Sequence, residues 1–438
     1  MSMNLHRSLC TALPPLAAVG LSLLSQAAQA DLGLFRVTGT AGVQAESNMH
    51  DAAFAANTLD MAFSTNSRNL GLDPGSGAAQ ILLMDLGDDA LSLISRAPNG
   101  DGSNGNSTGP ALSANGRYVV FSSFASNLVS GEQSPSQSVF RFDRQASTMQ
   151  RVSVSTSGGA INAQARYASI SDDGRYVAYF SSASNQISGD SNGAVDLLLT
   201  DMLTMSTTRL SLSDSEQQAA DGALESPTES LSGDARYAVF TSNSNLAASP
   251  SNGGNVQIYL RDRTAASTTM VSVNASNQAA NSQCDSPSIS RNGRYVVYRS
   301  FATNLVSGAT SRIFRRDLQS GGLTAIPLPA SAASCETPQV NDLGEVMYAC
   351  SENVGGTLQA WLFRDPNLLF LLSPASGTAV ASNAGVVPGR RGMRPDGALM
   401  AYSSIASNIV SGDTNGVGDI FVVVDSERLS RLFGDGFE

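Results

Sequence analysis

Ser113-Ala-Asn-Gly-Arg-Tyr-Val-Val-Phe-Ser-Ser123 is the stretch that decides the fold. It recurs with drift as Ser171-Asp-Asp-Gly-Arg-Tyr-Val-Ala-Tyr-Phe-Ser181 and Ser290-Arg-Asn-Gly-Arg-Tyr-Val-Val-Tyr-Arg-Ser300. A third copy, Ser232-Gly-Asp-Ala-Arg-Tyr-Ala-Val-Phe-Thr-Ser242, has Ala235 in place of the glycine. Fainter copies begin at Asn57, Asn341 and Arg394, which makes seven units. Self-similarity at such a period sets the architecture before any single motif does.

Each unit parses alike. In the second, Pro110–Ser113 reads as a short strand and Ala114-Asn-Gly116 as a tight turn, with Gly116 suited to positive φ. Arg117–Ser122, Val139–Asp143 and Met149–Val154 follow as further strands, separated by polar loops and turns. Tyr118, Tyr176, Tyr237 and Tyr295 mark spacings of 58, 61 and 58 residues. The second strand is apolar throughout, as a strand buried on both faces requires. Four short strands per unit predict an all-β fold, a single β-propeller of seven four-stranded blades, with a six-bladed ring as the alternative. The seventh third strand, Asp419–Asp425, is followed by little chain. Its missing fourth strand is expected at the front, where Leu34-Phe-Arg-Val-Thr-Gly39 resembles the other fourth strands. That pairing would clasp the last blade and remove an exposed edge.

Of the 438 residues 42% are hydrophobic and 14% charged, against roughly 25% charged in ordinary globular proteins. The surface is therefore built largely from Ser, Asn, Gln, Thr and Gly. All 26 basic residues are arginine, which excludes lysine nucleophiles and Schiff bases. A net charge of −11 without basic clusters argues against nucleic acid or an anionic membrane as partner. Arg7, the apolar run Leu13–Leu24 and Ala28-Gln29-Ala30 read as an export signal over residues 1–30, with the mature chain starting at Asp31. The run is shorter than the ~20 residues a membrane span needs. Residues 31–425 are expected to form the propeller and 426–438 a C-terminal tail.

The Asp-Gly-Arg-Tyr-Val-type unit, its Ser-Asn-Leu-Val continuation and third strands ending in Asp-Arg (Arg141-Phe-Asp-Arg144, Leu260-Arg-Asp-Arg263) resemble the TolB-type propeller repeat of bacterial periplasmic and secreted proteins. The resemblance covers residues ~34–425, essentially the whole mature chain, as in a repeat array. It implies a propeller fold and an exported location. The additional N-terminal α/β domain of TolB proper has no counterpart here.

Two loops carry Asp-x-Asn-Gly-x-x-Asp: Asp190, Asn192 and Asp196, and again Asp413, Asn415 and Asp419. Alternating oxygen side chains around a glycine turn suit Ca²⁺, the one cofactor the sequence suggests. The competing reading is that Asp and Asn cap a turn through backbone hydrogen bonds. Cys335 and Cys350 fall opposite one another if the sixth hairpin turns near Asp342-Leu343, and an exported chain permits a disulfide between them. Cys284–Cys335 is the competing pair. His50 is the only histidine of the mature chain and reads as a loop residue. Arg390, Arg391 and Arg394 on the seventh first strand are channel-lining candidates for an anionic or carbohydrate ligand, against solvated arginines in a water-filled channel. Leu432-Phe-Gly-Asp-Gly-Phe-Glu438 resembles endings of exported proteins of some Gram-negative bacteria and reads as a sorting tag or a frayed end.

The function this supports is an exported, periplasmic or extracellular, monomeric binding or scaffold protein. It would recognise a protein or an envelope polymer through one loop face, without catalysis. The alternative is a hydrolase or lyase acting on polysaccharide or peptide with paired carboxylates at the channel mouth.

Overall fold

A computed structural model describes residues 32–38, 42–70, 72, 77–131, 136–330, 332–351, 356–365, 368–375 and 381–433. The expected export signal, its cleavage site and the last five residues of the expected tag lie outside them. Strand β1 (Leu32–Arg36) precedes the first unit, which contains β2 (Met49–Phe54), β3 (Asp60–Thr65), β4 (Gln80–Asp85) and β5 (Ala90–Leu93). The second contains β6 (Ser107–Leu112), β7 (Tyr118–Ser123), β8 (Ser138–Asp143) and β9 (Thr148–Arg151). The third contains β10 (Ala165–Ile170), β11 (Tyr176–Ser181), β12 (Asp196–Asp201) and β13 (Ser206–Arg209). The fourth has β14 (Tyr237–Ser242), β15 (Gln257–Asp262) and β16 (Ser267–Met270). The fifth has β17 (Cys284–Ile289), β18 (Tyr295–Ser300), β19 (Ile313–Asp317) and β20 (Leu323–Ala325). The sixth has β21 (Ser334–Val340), β22 (Val346–Ser351), β23 (Leu358–Arg364) and β24 (Leu368–Leu371), and the seventh β25 (Val386–Met393), β26 (Leu399–Ser404) and β27 (Asp419–Asp425).

Within each unit the strands pair antiparallel in chain order. The fourth unit departs at its first strand, where only the bridges Leu224↔Thr241 and Leu231↔Ala238 form around Pro227, a residue without a backbone donor. Strand β1 pairs with β27 from Leu32↔Asp425 to Arg36↔Phe421, so the front of the chain is the outer strand of the seventh unit.

The second strands are buried on both faces because neighbouring units pack on each side of them. Their aromatic residues stack on those of the third strands, as in Phe121–Phe140 at 6.1 Å and Tyr402–Phe421 at 5.7 Å between ring centres. One cluster joins Leu399, Ala401, Ile420 and Val422 of the seventh unit to Met61, Phe63 and Leu82 of the first.

The hairpin turns touch from unit to unit. Asn57 N donates to Ala114 O, Ala114 N to Asp172 O, Asp172 N to Gly233 O and Gly233 N to Arg291 O, at 2.6–3.0 Å. Asn292 N then donates to an Asp342 carboxylate oxygen, and Asp342 N to Pro395 O. Pro395 has no N–H to pass on. The neighbouring Arg394 makes the next link, donating to Thr58 O at 2.8 Å and Ala56 O at 2.9 Å. In the third unit the turn glycine is required sterically as well as conformationally, whereas the fourth unit accommodates Ala235 at φ +56°. Gly174 has φ +74°, and a Cβ there would lie 2.1 Å from the Tyr118 ring of the unit before.

Residues 426–433 form helix α1 (Ser426–Phe433), where the sequence reading has a tail. Asp425 caps it by accepting from Arg428 N at 3.1 Å, and Arg428 ties it to Glu345 at 2.6 and 2.7 Å.

Candidate functional site

The charged residues of the repeat motif are engaged within the fold. The arginine opening the second strand grips the aspartate closing the third: Arg117–Asp143, Arg175–Asp201, Arg236–Asp262 and Arg294–Asp317, each through two nitrogens. Hydrogen bonding to Arg175 holds the Asp201 carboxyl down at about 2, and Arg294 acts likewise on Asp317. The same arginines lie over the tyrosine that follows them, Arg117 at 4.8 Å from the Tyr118 ring centre. The Arg-Tyr dipeptide is thus structural.

The two Asp-x-Asn-Gly-x-x-Asp loops do not fit Ca²⁺, which needs six to eight oxygen ligands. Arg209 of β13 stands between the carboxylates of the first loop, 3.1 Å from Asp190 and 3.0 Å from Asp196. Arg36 of β1 takes the same place in the second, 3.2 Å from Asp413 and 3.7 Å from Asp419. The asparagine oxygens are turned to backbone, Asn192 accepting from Ala194 N and Asn415 from Val417 N. Their amide nitrogens reach the next unit, at Ala219 O and Ala45 O. The positive charge expected of a metal is supplied by an arginine on the outer strand. Among the described residues no group of three His, Cys, Asp or Glu side chains gathers as a metal-ligand set.

The first strands lie innermost. Most carry a bulge with a left-handed residue at the same place: Asp51, Gly109, Tyr167, Ser286 and Thr337 have φ between 51° and 63°. One position further on, Arg391 of the seventh unit reaches units three and four. Its guanidinium donates to Ala168 O and Ser169 Oγ at 2.6 Å and lies 2.5 Å from a Glu229 oxygen. Arg394 is 1% exposed and holds Ala56, Thr58 and Asp396. These two arginines are tied into the protein rather than free for a ligand, contrary to the channel-ligand expectation. The Arg390 side chain lies outside the description.

Carboxylates do converge at the innermost end of the units, and among the described residues most are matched, while the Glu336 side chain of β21 makes no hydrogen bond or ion pair. Glu225 is gripped by Arg166, Asp285 by Arg299 at 2.7 and 2.8 Å, and Asp51 by its neighbours. His50 is a strand residue in β2, not a loop residue. Its Nδ1 lies 2.7 Å from Ser64 Oγ and 3.2 Å from an Asp51 oxygen. In a catalytic triad serine and carboxylate occupy opposite ring nitrogens. Here both meet Nδ1, and Ser64 is fully buried.

The end of the units away from the turn belt carries exposed apolar groups. Phe124, Phe301 and Ile405 each follow the last residue of a second strand, Leu224 forms the first bridge of the fourth unit and Val387 lies near the start of β25, with exposures of 44–62%. Five such groups at one end are more than scattered surface residues. Repeated asparagines brace the loops beneath them: Asn104 N donates to Asn127 Oδ1, Asn162 N to Asn185 Oδ1 and Asn281 N to Asn304 Oδ1. This accounts for the Ser-Asn-Leu signature.

Cys335 and Cys350 are directly opposite in register, with Cα atoms 4.1 Å apart, and form a disulfide. Cys284 is free and buried.

No family model matches the chain, and no curated protein does. Among solved structures an oligogalacturonate lyase in complex with manganese aligns over 90% of this chain and 96% of its own, at 12% identity and a TM-score of 0.52. A prolyl endopeptidase aligns over 86% of this chain and 50% of its own, at 11% identity and a TM-score of 0.52. The fold is of the β-propeller type. TolB from Acinetobacter baumannii aligns at 18% identity and a TM-score of 0.38, over 65% of this chain and 57% of its own. The propeller likeness is one of fold and carries no activity with it.

Proposed function

We propose that the chain is an exported, monomeric, seven-bladed closed propeller that recognises a protein or an envelope polymer through its loop face, without catalysis. The exposed apolar set Phe124, Leu224, Phe301, Val387 and Ile405 at one end of the blades carries this reading. Ring closure is supported by the turn-to-turn hydrogen bonds, by the Arg394 link to the first unit and by β1 on β27. The non-catalytic part is supported by the bonded state of Glu225, Asp285, Asp51 and Glu229, which among the described residues leaves Glu336 of β21 without a second free acid for the pair of carboxylates such catalysis needs. Export is supported by the disulfide. Among the described residues no helix is long and apolar enough to cross a membrane.

The test compares the mature chain with a Phe124→Ser, Phe301→Ser, Ile405→Ser variant and with Leu343→Ser, an exposed apolar group in a hairpin turn at the opposite end. Each is immobilised and challenged with bacterial envelope extract under crosslinking. The triple variant is expected to lose a component that the wild type and Leu343→Ser retain. Identical capture by all three, or turnover of polysaccharide or peptide by the wild type, would refute the reading.

A further inference from the structure

On the outer rim, between the first and second units, lies a groove of about 650 Å³. Its walls are Leu72, the inward-leaning Leu91 and Leu93 of β5, and Phe142 of β8. The third-strand position of Phe142, one before the terminal aspartate, is Arg261 in the fourth unit and Arg316 in the fifth. There the arginine is consumed by the groove itself. Arg316 donates to the carbonyls of Val271 and Val273, and Arg261 holds Glu216 and Thr268. In the first groove the charge has moved to the opposite wall. Arg96 occupies the bridge position that is Leu212 in the third unit and Val273 in the fourth.

Arg96 lies over the Phe142 ring at 5.0 Å. No acid among the described residues pairs with it. The fold does not need a cation at this position, since other units use an aliphatic residue there. What results is an aliphatic and aromatic trough with a guanidinium at its edge that makes no hydrogen bond or ion pair among the described residues. Pockets of this size take small ligands, and a few placed polar groups fix their orientation. A guanidinium is the side chain best shaped for a carboxylate.

We propose that this groove binds a medium-chain fatty carboxylate, with its chain along Leu72, Leu91 and Leu93 and its head on Arg96. Dodecanoate, below its micelle concentration, is the probe, titrated calorimetrically into the full mature chain. Dodecyltrimethylammonium tests the head charge and hexanoate the chain. Dodecanoate is expected to bind, tenfold or more weaker in Arg96→Gln, with part of the affinity restored in Arg96→Lys. Leu72→Gln should weaken it independently of the head group. Thermal melts of each free variant check that the fold is intact; Arg96 is partly exposed and, among the described residues, bonds to no other side chain through a hydrogen bond or ion pair. Equal affinity in Arg96→Gln, equal binding of the ammonium amphiphile, or no dodecanoate binding to the wild type would each overturn the proposal.

Discussion

Arg391 of the seventh unit lies 2.5 Å from Glu229 of the fourth, the two residues standing at equivalent places three residues before their turns. Counting back three positions from the turn, the other units carry Ala52, Pro110, Ala168, Pro287 and Pro338. Small residues and prolines at five places leave room at the centre, and one long acid and one long base fill it. Both side chains are about 10% exposed. Removing one partner strands a buried charge, at a cost of about 3–5 kcal/mol. Glu229→Gln and Arg391→Met are each expected to lower the urea midpoint strongly. The double variant should be more stable than the sum of the two losses implies, because the coupling is shared. Additive losses would mean that the pair does not act as a unit.

Acid should stabilise the contact between β1 and the seventh unit. Burial pushes the Asp419 carboxyl from 3.8 up to about 6, against the pull of Asn415 and Arg36. The folded state therefore binds this proton more tightly than the unfolded state. The stability from this group is fully present below pH ~4 and is lost as pH rises to ~6. The change is of the order of 3 kcal/mol, since each tenfold gain in proton affinity is worth about 1.4 kcal/mol. Melting of wild type and Asp419→Asn from pH 4 to 7 is the measurement. The wild type is expected to lose ground to the variant across that range, and a constant difference would contradict the assignment.

Calcium up to millimolar concentration is expected to give no binding heat with the mature chain, since Arg209 and Arg36 already face the loop carboxylates. Arg209→Met leaves Asp190 and Asp196 facing each other unshielded, so this variant should be less stable at pH 7 than at pH 5. A saturable wild-type isotherm abolished by Asp190→Ala and Asp413→Ala would show instead that the loops rearrange around a metal.

A second disulfide is built into the geometry of the fifth unit. Cys284 pairs with Ser300 in the same relation that Cys335 has to Cys350, and its sulfur lies 3.2 Å from Ser300 Oγ. Ser300→Cys is expected to form the bridge under oxidising conditions and to remove the free thiol of Cys284. A closed loop of this length adds about 3 kcal/mol where the native geometry accepts it. Thiol titration and unfolding with and without reductant check both points.

Much of the fold is legible because it is local. The tight turn, the apolar second strand and the polar loops are all set by neighbours within one unit, and the repeat prints them seven times. The return of the front of the chain as an outer strand, observed over Leu32–Arg36, is legible for the same reason, since Leu34-Phe-Arg36 opens a pattern seen elsewhere. Helix α1 is not legible in that way. It has no repeat to compare with, and the contacts of Arg428 to Glu345 that hold it come from another unit.

What the sequence by itself determined is therefore the repeating unit, the strand order within it and the chemistry that is missing, lysine above all. What only the tertiary structure decided is which units face one another. A charge pattern states that Asp190 and Asp196 want a cation, but not that Arg209 arrives there in place of a metal. Nor does it state that Arg391 meets Glu229 or that Arg394 serves the carbonyls of the first unit. Such partners are chosen by how the units pack together, and an exposed arginine and a buried one are written with the same letter. The unpaired Arg96 stands out for the same reason, because only the packed structure shows that its counterparts elsewhere have been used.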